Sequence, residues 1–321
     1  MRRASLFAVS TRATRTAPIG SDDASSPIPG AGMTAFAPDP TGPVLLLPPS
    51  ETKRPDPADP GDARLAPDTL AFADTLGETR RRLIVEVAAL SARPDARALL
   101  RLTARQAADL PANRALGDRP PVLPALMRYT GVLYDALDRA SLPGPAVRWL
   151  ERSVLVQTAL LGLVAGGDGV PAHRLSAGVP ARVLDLVRLW RPGQTAVLAG
   201  LAERSVVVDL RSKAYARLGP LPAGAGSLRL VVRELTPIGL GRPSGHADKA
   251  VKGRFVRALA LRATADQSTV RDRDAVLALL DASARDVGVR LLAPAAGAVE
   301  WTLGVPEQPV TAAGSAPRSR G

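Results

Sequence analysis

The sequence predicts an α/β fold (mixed α+β), a single compact domain over residues 44–306 in which helices flank a mixed sheet. Three observations favour this class. Hydrophobic residues make up 46% and charged residues 22% of the 321 residues, which is typical of a folded protein with a sizeable core. Short apolar runs of strand length alternate with longer segments of helical periodicity. The alternation has neither a strict strand–helix–strand period nor an internal repeat.

The individual elements follow from local patterns. The apolar, β-branched run at 205–210 is typical of a strand buried on both faces. Further strands are predicted at 44–47, 154–164 and 228–235, with a closing hairpin of 289–292 and 299–305. Helices are predicted at 70–92, 95–109, 124–138, 180–190, 194–202, 246–262 and 272–287. The outer segments 1–43 and 307–321 lack such periods and are predicted to be disordered.

Composition excludes several classes of site. The chain has no cysteine and two histidines, His173 and His246, which rules out disulfides, thiolate metal sites and three-histidine zinc sites. The motifs of phosphate-binding loops, zinc proteases, serine hydrolases and calcium loops are absent. We expect no cofactor and no metal. The alternative set for a hard cation is a group of carboxylates, Glu51, Asp168 and Asp209.

The sequence also predicts where the protein acts. No apolar run reaches the ~18–20 residues that span a bilayer. The paired arginines at 2–3 are not followed by the sustained apolar segment of an export signal. We therefore expect a cytoplasmic protein that does not contact a membrane.

The net charge is the first positive indication of a partner. The chain carries 42 basic and 30 acidic residues, a formal charge of +12. A basic body favours anionic partners, such as DNA or a phosphorylated small molecule. The alternative is that a chain rich in Ala, Arg, Gly, Pro and Val is arginine-heavy for codon reasons. The oligomeric state is not indicated.

Scarce residue types are concentrated in a few segments. Lysine occurs four times against 38 arginines, and tyrosine three times. In a chain that uses arginine so freely, a lysine indicates a position that needs a compact ammonium able to lose its proton. The scarce residues gather at 48–53, 128–137, 171–178, 207–215 and 246–254. We expect these five segments to meet in one basic cleft.

The first two segments contain hydroxyls, a lysine and two tyrosines. Ser50, Thr52 and Lys53 follow the carboxyl end of a strand, where open α/β sheets bind ligands; the alternative is a simple turn or helix cap. Tyr129 and Tyr134, five residues apart on a predicted helix, are 140° from each other, so one is expected in the core and the other in the cleft. Buried, hydrogen-bonded tyrosines are the alternative.

The next two segments contain charged groups. Arg174 is predicted either to clamp an anion or to pair with Asp168 or Asp209. A second set is predicted to form the polar floor of the site: Asp209, Ser212, Lys213 and Tyr215. The alternative for Asp209 is a cap of the following helix.

The last segment begins the predicted helix 246–262. Its wheel places His246, Lys249 and Arg257 along one edge, flanked by Lys252 and opposite an apolar stripe. Gly253 lies at the centre of this edge, where a bare backbone lets a phosphate approach closely. A solvated basic face is the alternative.

The order of these segments resembles the YaaA family of bacterial peroxide stress proteins, from about residue 44 to 305. The resemblance rests on Pro-Pro-Ser-x-Thr, Tyr-Thr-Gly-Val-x-Tyr, Ala-Leu-x-Gly-Leu-Val before Asp168 and Arg174, Asp-Leu-Arg-Ser-x-x-Tyr, and Lys-Ala-x-Lys-Gly-Arg. Many members of the family carry lysine where this chain has Glu51, and Lys53 is the candidate replacement.

The resemblance implies a compact mixed α/β fold with a basic cleft. It implies DNA binding of helix-hairpin-helix-like geometry and a role in limiting iron-dependent oxidative damage. No established reaction comes with the family. The alternative is an enzyme acting on a nucleotide or other phosphorylated small molecule held by Lys249, Arg257, Asp209 and Tyr215. A long open groove favours DNA, whereas a closed pocket of roughly 300–1,000 Å³ favours a small ligand.

Overall fold

The described part of the chain folds into ten strands and ten α-helices, with a few short 3₁₀ turns between them. The computed structural model describes residues 36, 42–59, 61–224, 226–241, 245–265, 270, 272–294 and 300–306. The strands are β1 Val44–Leu47, β2 Val122–Pro124, β3 Val154–Thr158, β4 Gly162–Ala165, β5 Gly169–Pro171, β6 Val207–Asp209, β7 Ser227–Thr236, β8 Gly239–Leu240, β9 Arg290–Leu292 and β10 Glu300–Pro306.

The helices lie between and after these strands. They are α1 Ala73–Ala92, α2 Ala96–Leu99, α3 Leu110–Arg114, α4 Ala125–Arg128, α5 Val132–Leu137, α6 Gly144–Ser153, α7 Leu186–Ala202, α8 Lys213–Ala216, α9 Gly245–Ala265 and α10 Arg273–Asp286. Within the described residues, no helix has the length and apolar character that a bilayer span requires.

Eight of the strands form one mixed sheet, in the order β4-β3-β1-β6-β7-β10-β9, with β8 added at the end of β7. The five central strands from β3 to β10 run parallel, whereas β4, β8 and β9 pair antiparallel with their neighbours. β2 and β5 form a separate antiparallel pair. The protein is therefore a single α/β domain with a mixed sheet, as the sequence predicts.

The position of β1 sets the place of the candidate site. All four of its side chains, Val44–Leu47, are fully buried, as expected of a parallel strand covered on both faces. β1 pairs with β3 on one side and with β6 on the other. A topological switch point therefore lies at the carboxyl end of β1, where ligands bind in open α/β sheets.

Three predicted elements differ from the structure: two are divided and one is shortened. The segment 154–164 is a hairpin of β3 and β4 rather than one strand, because the chain turns at Gly162, whose φ is +69°. The segment 124–138 is two helices, since Tyr129 is extended and Gly131 has a φ of +95°. The predicted helix at 95–109 is likewise shortened to α2, with Arg101 left-handed after it and a 3₁₀ turn at Gln106–Asp109.

At α7 the sequence predicted two helices, 180–190 and 194–202, where the structure has one, Leu186–Ala202. The helix continues through Pro192 because its buried stripe runs across that residue: Leu186, Trp190, Gln194, Leu198 and Leu201 are all buried. Packing of this stripe offsets the loss of one helical hydrogen bond at proline.

Only a small part of the predicted disordered leader is described. Phe36 packs against the core, with its ring centroid 5.5 Å from that of Phe72. Gly42 is buried beside Trp149, where a Cβ would lie 2.7 Å from the indole. The rest of the leader before these residues and the predicted tail 307–321 lie outside the described residues.

Candidate functional site

The turn that follows β1 is fastened to the segment between α4 and α5. Ser50 Oγ and Thr52 Oγ1 lie 3.1 Å apart, and the Thr52 hydroxyl donates to the Thr130 carbonyl at 3.2 Å. The Thr130 N–H donates to the Thr52 carbonyl at 3.2 Å. Thr52 is exposed and Ser50 is half-buried, so the hydroxyl edge of this turn faces solvent.

Gly131 makes this close approach feasible. Its φ of +95° is one that other residues rarely adopt, and a Cβ there would lie 3.0 Å from Thr52 Oγ1 and 3.1 Å from Ser50 Oγ. The close approach at Gly131 is therefore made by the protein's own hydroxyls. Gly131 precedes α5 rather than lying inside a helix.

Lys53 places its amine next to Tyr129. The Nζ atom is 5.3 Å from the ring centroid, a cation–π distance, and donates to the Ser50 carbonyl at 3.3 Å. Desolvation by burial, followed by the nearby charge of Arg174, lowers the pKa of Lys53 to about 7. The amine therefore exists in both protonation states near neutral pH, as a nucleophile or proton acceptor requires.

The three tyrosines form a group that meets this lysine at Tyr129. Tyr129 and Tyr134 are both buried, with ring centroids 5.4 Å apart, so the prediction that they face core and cleft separately is wrong. The hydroxyl of Tyr134 donates to the Pro48 carbonyl at 2.8 Å, whereas the buried hydroxyl of Tyr129 has no hydrogen-bond partner among the described residues. Burial raises the pKa of both residues, and the neighbouring Tyr215 contributes.

Tyr215 joins the same group from α8. Burial raises the pKa of Tyr215 to about 12, against a hydrogen bond from the Ala177 backbone and with a small contribution from Glu51. Three of the five segments are therefore joined at this point: the turn after β1, the break before α5 and helix α8.

The fourth segment supplies His173 and Arg174. His173 is buried, and its Nδ1 donates to the Pro171 carbonyl at 2.9 Å. Burial, with the charge of Lys53 as the next cause, holds the pKa of His173 well below its ordinary value. The imidazole is therefore neutral at physiological pH.

Arg174 pairs with a different carboxylate from those predicted. Its Nη2 lies 2.6 Å and its Nε 2.7 Å from Asp109 Oδ2, and its Nη1 lies 3.6 Å from Glu51. The predicted pairings with Asp168 and Asp209 are wrong. Asp168 instead accepts hydrogen bonds from the Ala71 and Ala165 backbone at 2.9 and 2.8 Å.

Asp209 forms a buried pair with Arg211 instead of an open site floor. The two side chains are bidentate, at 2.9 Å for Nε–Oδ1 and 2.8 Å for Nη2–Oδ2. Asp209 also lines a cavity together with Lys213, and none of the Lys53 neighbours described above lines that cavity. The predicted floor is therefore divided, with Tyr215 beside Tyr129, Asp209 and Lys213 at the cavity, and Ser212 exposed before α8.

Helix α9 is more deeply buried than its wheel predicted. Gly253 does not face a ligand, since a Cβ there would lie 2.1 Å from the Leu133 carbonyl oxygen and 2.8 Å from Ala136 Cβ. Lys252 is buried, with Nζ 3.2 Å from Asp248. The centre of the predicted basic edge, at Gly253, is thus a helix–helix contact.

Arg257 is also engaged within the protein. Its Nη1 donates to the Leu137 and Asp138 carbonyls at 3.2 and 2.8 Å, at the end of α5. Together with Gly253, this contact shows that α5 and α9 run side by side in the same direction. Lys249, one turn before Gly253 on α9, is exposed. The side chain of His246 lies outside the described residues.

The structure adds partners that sequence reasoning did not single out. Asp109 holds Arg174, and Gln106 donates to Glu51 at 2.9 Å. Arg128 is fully buried and bonded to Asp56, Arg54 and Val170.

Among the described residues, no three His, Asp or Glu side chains gather as a metal site. The carboxylates suggested for a hard cation, Glu51, Asp168 and Asp209, each bond protein groups in a different place.

Taken together, the geometry defines an α/β protein with a polar, titratable site at the switch point of its parallel strands. We call this the Lys53 site: Ser50, Thr52, Lys53, Tyr129, Tyr134, His173, Arg174 and Tyr215. It contains hydroxyls, a titratable amine and a guanidinium, which are groups that bind anions.

Comparison with known proteins gives the family. The chain matches the family model for peroxide stress protein YaaA over residues 44–275. It is 36% identical over 272 residues to a UPF0246 protein of Streptomyces coelicolor, covering 82% of this chain and 97% of that protein. It is 34% identical over 222 residues to one from Corynebacterium efficiens, covering 68% and 84%. The chain belongs to the YaaA peroxide stress family.

Proposed function

We propose that this protein acts in peroxide stress by binding a phosphate-bearing anion at the Lys53 site, with the DNA backbone as its main source. The observation that carries this proposal is the convergence of four distant segments around Lys53, at the sheet edge where α/β proteins bind ligands. Binding of DNA would then shield it from iron-dependent damage in the cytoplasm.

The chemistry of the Lys53 site supports a phosphate ligand. The exposed hydroxyl of Thr52 and the hydroxyl of Ser50 lie 3.1 Å apart, close enough to contact one phosphate together. Lys53 supplies a positive charge when protonated, and ligand binding would favour that form. Lys249, exposed on α9 one turn before Gly253, is the candidate for a second cation.

The internal contacts of α9 limit how much of a duplex the site engages. Lys252 and Arg257 are committed to Asp248 and to the end of α5, so they do not form a continuous basic track. We therefore expect few phosphate contacts and a shallow salt dependence. The logarithm of the binding constant should fall by about 0.9 per tenfold salt for each phosphate neutralised on duplex DNA.

The test is a titration of a labelled DNA duplex at several salt concentrations. Lys249→Gln should weaken binding to all sequences and lower the salt slope by about one. Arg254→Gln is the matched control, because Arg254 is exposed on the same helix but about 140° away from Lys249. Equal effects of the two substitutions, or no duplex binding by the wild type, would exclude DNA as the source of the phosphate.

A second candidate function is catalysis on a phosphorylated small molecule, and the observation that favours it is the pKa of Lys53. A lysine that is partly neutral at pH 7 is a nucleophile or general base. It lies beside the neutral His173 and the unpartnered Tyr129 hydroxyl, which are candidates for proton transfer.

Pyridoxal 5′-phosphate tests this candidate directly, because it combines a phosphate with an aldehyde. A neutral lysine amine adds to the aldehyde and loses water to form an imine, which borohydride reduces to a stable adduct. With four lysines in the chain, mass spectrometry can assign every adduct. We expect Lys53 to be modified before the exposed Lys213 and Lys249 at pH 7, and preferential modification of the exposed lysines would contradict a catalytic lysine.

A further inference from the structure

Glu51 places a carboxylate beside the cations of the Lys53 site. Its Oε2 atom lies 3.6 Å from Nη1 of Arg174 and accepts a hydrogen bond from Gln106 Nε2 at 2.9 Å. Burial is the main cause of the raised pKa of Tyr215, and the charge of Glu51 adds to it. The Glu51 side chain is nevertheless 61% exposed. The carboxylate therefore lies close to the titratable groups of the site and is open to solvent.

One nitrogen of the Arg174 guanidinium faces Glu51 without a hydrogen bond to it. Nε and Nη2 of Arg174 both donate to Asp109 Oδ2, at 2.7 and 2.6 Å. Nη1 points to Glu51 at 3.6 Å, which is longer than a hydrogen bond. An ion pair of this length with an exposed partner contributes little to stability. Because guanidinium N–H groups bind phosphate well, the Nη1 edge is where an incoming phosphate would bind.

The charges around Lys53 make Glu51 decisive for the sign of the site. The charged groups that act on the pKa of Lys53, after desolvation, are Arg174, Asp109, Glu51 and Arg128. Both arginines are already paired with aspartates, so their charges are compensated. What remains is the Lys53 amine, positive when protonated, and the Glu51 carboxylate. With Glu51 in place these charges cancel, and without it the site is cationic.

Gln106 retains the Glu51 carboxylate in this position. Its Oε1 accepts from the Thr103 N–H at 2.9 Å, and its own N–H donates to Thr103 Oγ1 at 3.3 Å. Because Oε1 is fixed in this way, Nε2 is directed at Glu51. The 3₁₀ turn Gln106–Asp109 therefore supplies both the aspartate that fixes Arg174 and the donor that holds Glu51.

We infer that Glu51 is an internal competitor of the anion at the Lys53 site. In the empty site its carboxylate faces Nη1 of Arg174, and it leaves this place when a phosphate binds at the same edge of the guanidinium. Glu51 thereby sets how tightly the site binds an anion. The inference rests on the phosphate binding proposed above for this site.

Acetylation of Lys53 measures the occupancy of the site. Acetic anhydride is a neutral reagent that reacts with the neutral amine, and mass spectrometry quantifies each of the four lysines of the chain separately. Inorganic phosphate should slow the acetylation of Lys53, because it favours the protonated amine and covers it. Lys213, which is exposed on α8 and lines a separate cavity, is the internal reference for the reagent. The phosphate concentration that halves the rate at Lys53 reports the affinity.

Glu51→Gln keeps the size of the side chain and removes its charge. The concentration of phosphate that halves the rate should fall about tenfold, because a negative charge near the phosphate is lost. Glu203→Gln is the matched control and should change nothing. Glu203 is also exposed, but it follows α7, an element that supplies no residue of the Lys53 site. Circular dichroism verifies the fold of both variants.

A measurement without phosphate tests the position of the carboxylate by itself. Desolvation and the charge of Arg174 lower the pKa of Lys53, whereas the charges of Asp109 and Glu51 raise it. Glu51→Gln should therefore lower this pKa further and speed the acetylation of Lys53 at pH 6. Glu203→Gln should leave the rate unchanged.

The outcomes separate Glu51 from the phosphate site itself. Tighter protection in Glu51→Gln than in the wild type, or protection in the variant alone, would support the competitor. Equal or weaker protection in the variant would overturn the role of Glu51 and leave the phosphate site standing. No protection of Lys53 in either protein would overturn the phosphate site, and the competitor with it.

Discussion

The lowered pKa of Lys53 makes the stability of the fold depend on pH in a defined direction. Burial lowers the pKa of Lys53 in the folded protein to about 7, against 10.5 for an unperturbed lysine. Between these two values the unfolded chain holds the proton and the folded chain does not. The free energy of unfolding therefore rises with pH across this window. Below about pH 7 both states are protonated, and the folded state bears the full cost of the buried charge.

Lys53→Met isolates this effect, because it removes the amine and keeps an unbranched side chain. The difference in unfolding free energy between wild type and variant should rise by about 2.5 kcal/mol from about pH 7.5 to 9.5, in favour of the wild type. The contributions of groups that titrate equally in both proteins cancel in this difference. Near pH 7, the variant should be more stable relative to the wild type than it is at higher pH, because it lacks the buried charge.

Urea unfolding at several pH values measures the difference directly. Lys249→Met is the matched control, because Lys249 is one of the few other lysines and its side chain is exposed; its curve shows what removal of a surface lysine does. A difference between wild type and Lys53→Met that stays constant across the window, or falls with rising pH, would refute the assignment of a desolvated amine.

Three further predictions concern packing, each measured by thermal or urea unfolding. Gly131→Ala should destabilise the fold by about 2–3 kcal/mol through its φ of +95° and the contact with Thr52, and a loss below about 0.5 kcal/mol would contradict the described turn. Gly253→Ala should cost about 3 kcal/mol or more, because its Cβ would overlap the Leu133 carbonyl; an exposed glycine would tolerate the change. Phe36→Ala should cost about 1 kcal/mol by removing a half-buried aromatic contact, and an unchanged stability would show that the contact contributes nothing.

The fold could be predicted where a local pattern decides it. The run at 205–210 is apolar enough to require burial on both faces, and β6 lies between β1 and β7 as a result. The hairpin that closes the sheet also follows the prediction, with β9 antiparallel to β10. The errors occur where tertiary contacts override local signals. At Gly131 the helical pattern is interrupted because the turn at Ser50 packs closely against this residue. At Pro192 the helix continues because its buried stripe is packed against the core.

The candidate site could be predicted in its segments but not in its pairings. The scarcity of lysine and tyrosine singled out Lys53, Tyr129 and Tyr215, which the structure brings together. Asp109, the partner of Arg174, lies 65 residues away in sequence on a short 3₁₀ turn without any pattern. No spacing rule links such residues, and the contact becomes visible only when the chain is folded.

Helix α9 shows why a helical wheel can assign a glycine to the wrong role. The wheel assumed one buried face, and an uncrowded glycine among lysines then appeared open to a phosphate. The helix instead packs against α5, α6 and α10, so most of its circumference is buried. In that setting a glycine permits close approach of a neighbouring backbone, here that of Leu133 on α5.

The partners around position 53 explain why a lysine rather than an arginine occupies it. Two of the buried arginines are paired with carboxylates that match a permanent charge: Arg211 is paired with Asp209, and Arg128 bonds a carboxylate and two carbonyls. Lys53 has carbonyl acceptors, an aromatic ring and the neighbouring guanidinium of Arg174. An arginine there would keep two positive charges side by side in a desolvated site, because its guanidinium does not release its proton. A lysine at this position is partly neutral near pH 7, and the proposed binding of an anion would favour its protonated form. Lys53→Arg should therefore destabilise the free protein more than Lys53→Met at neutral pH, and a bound phosphate should offset that loss.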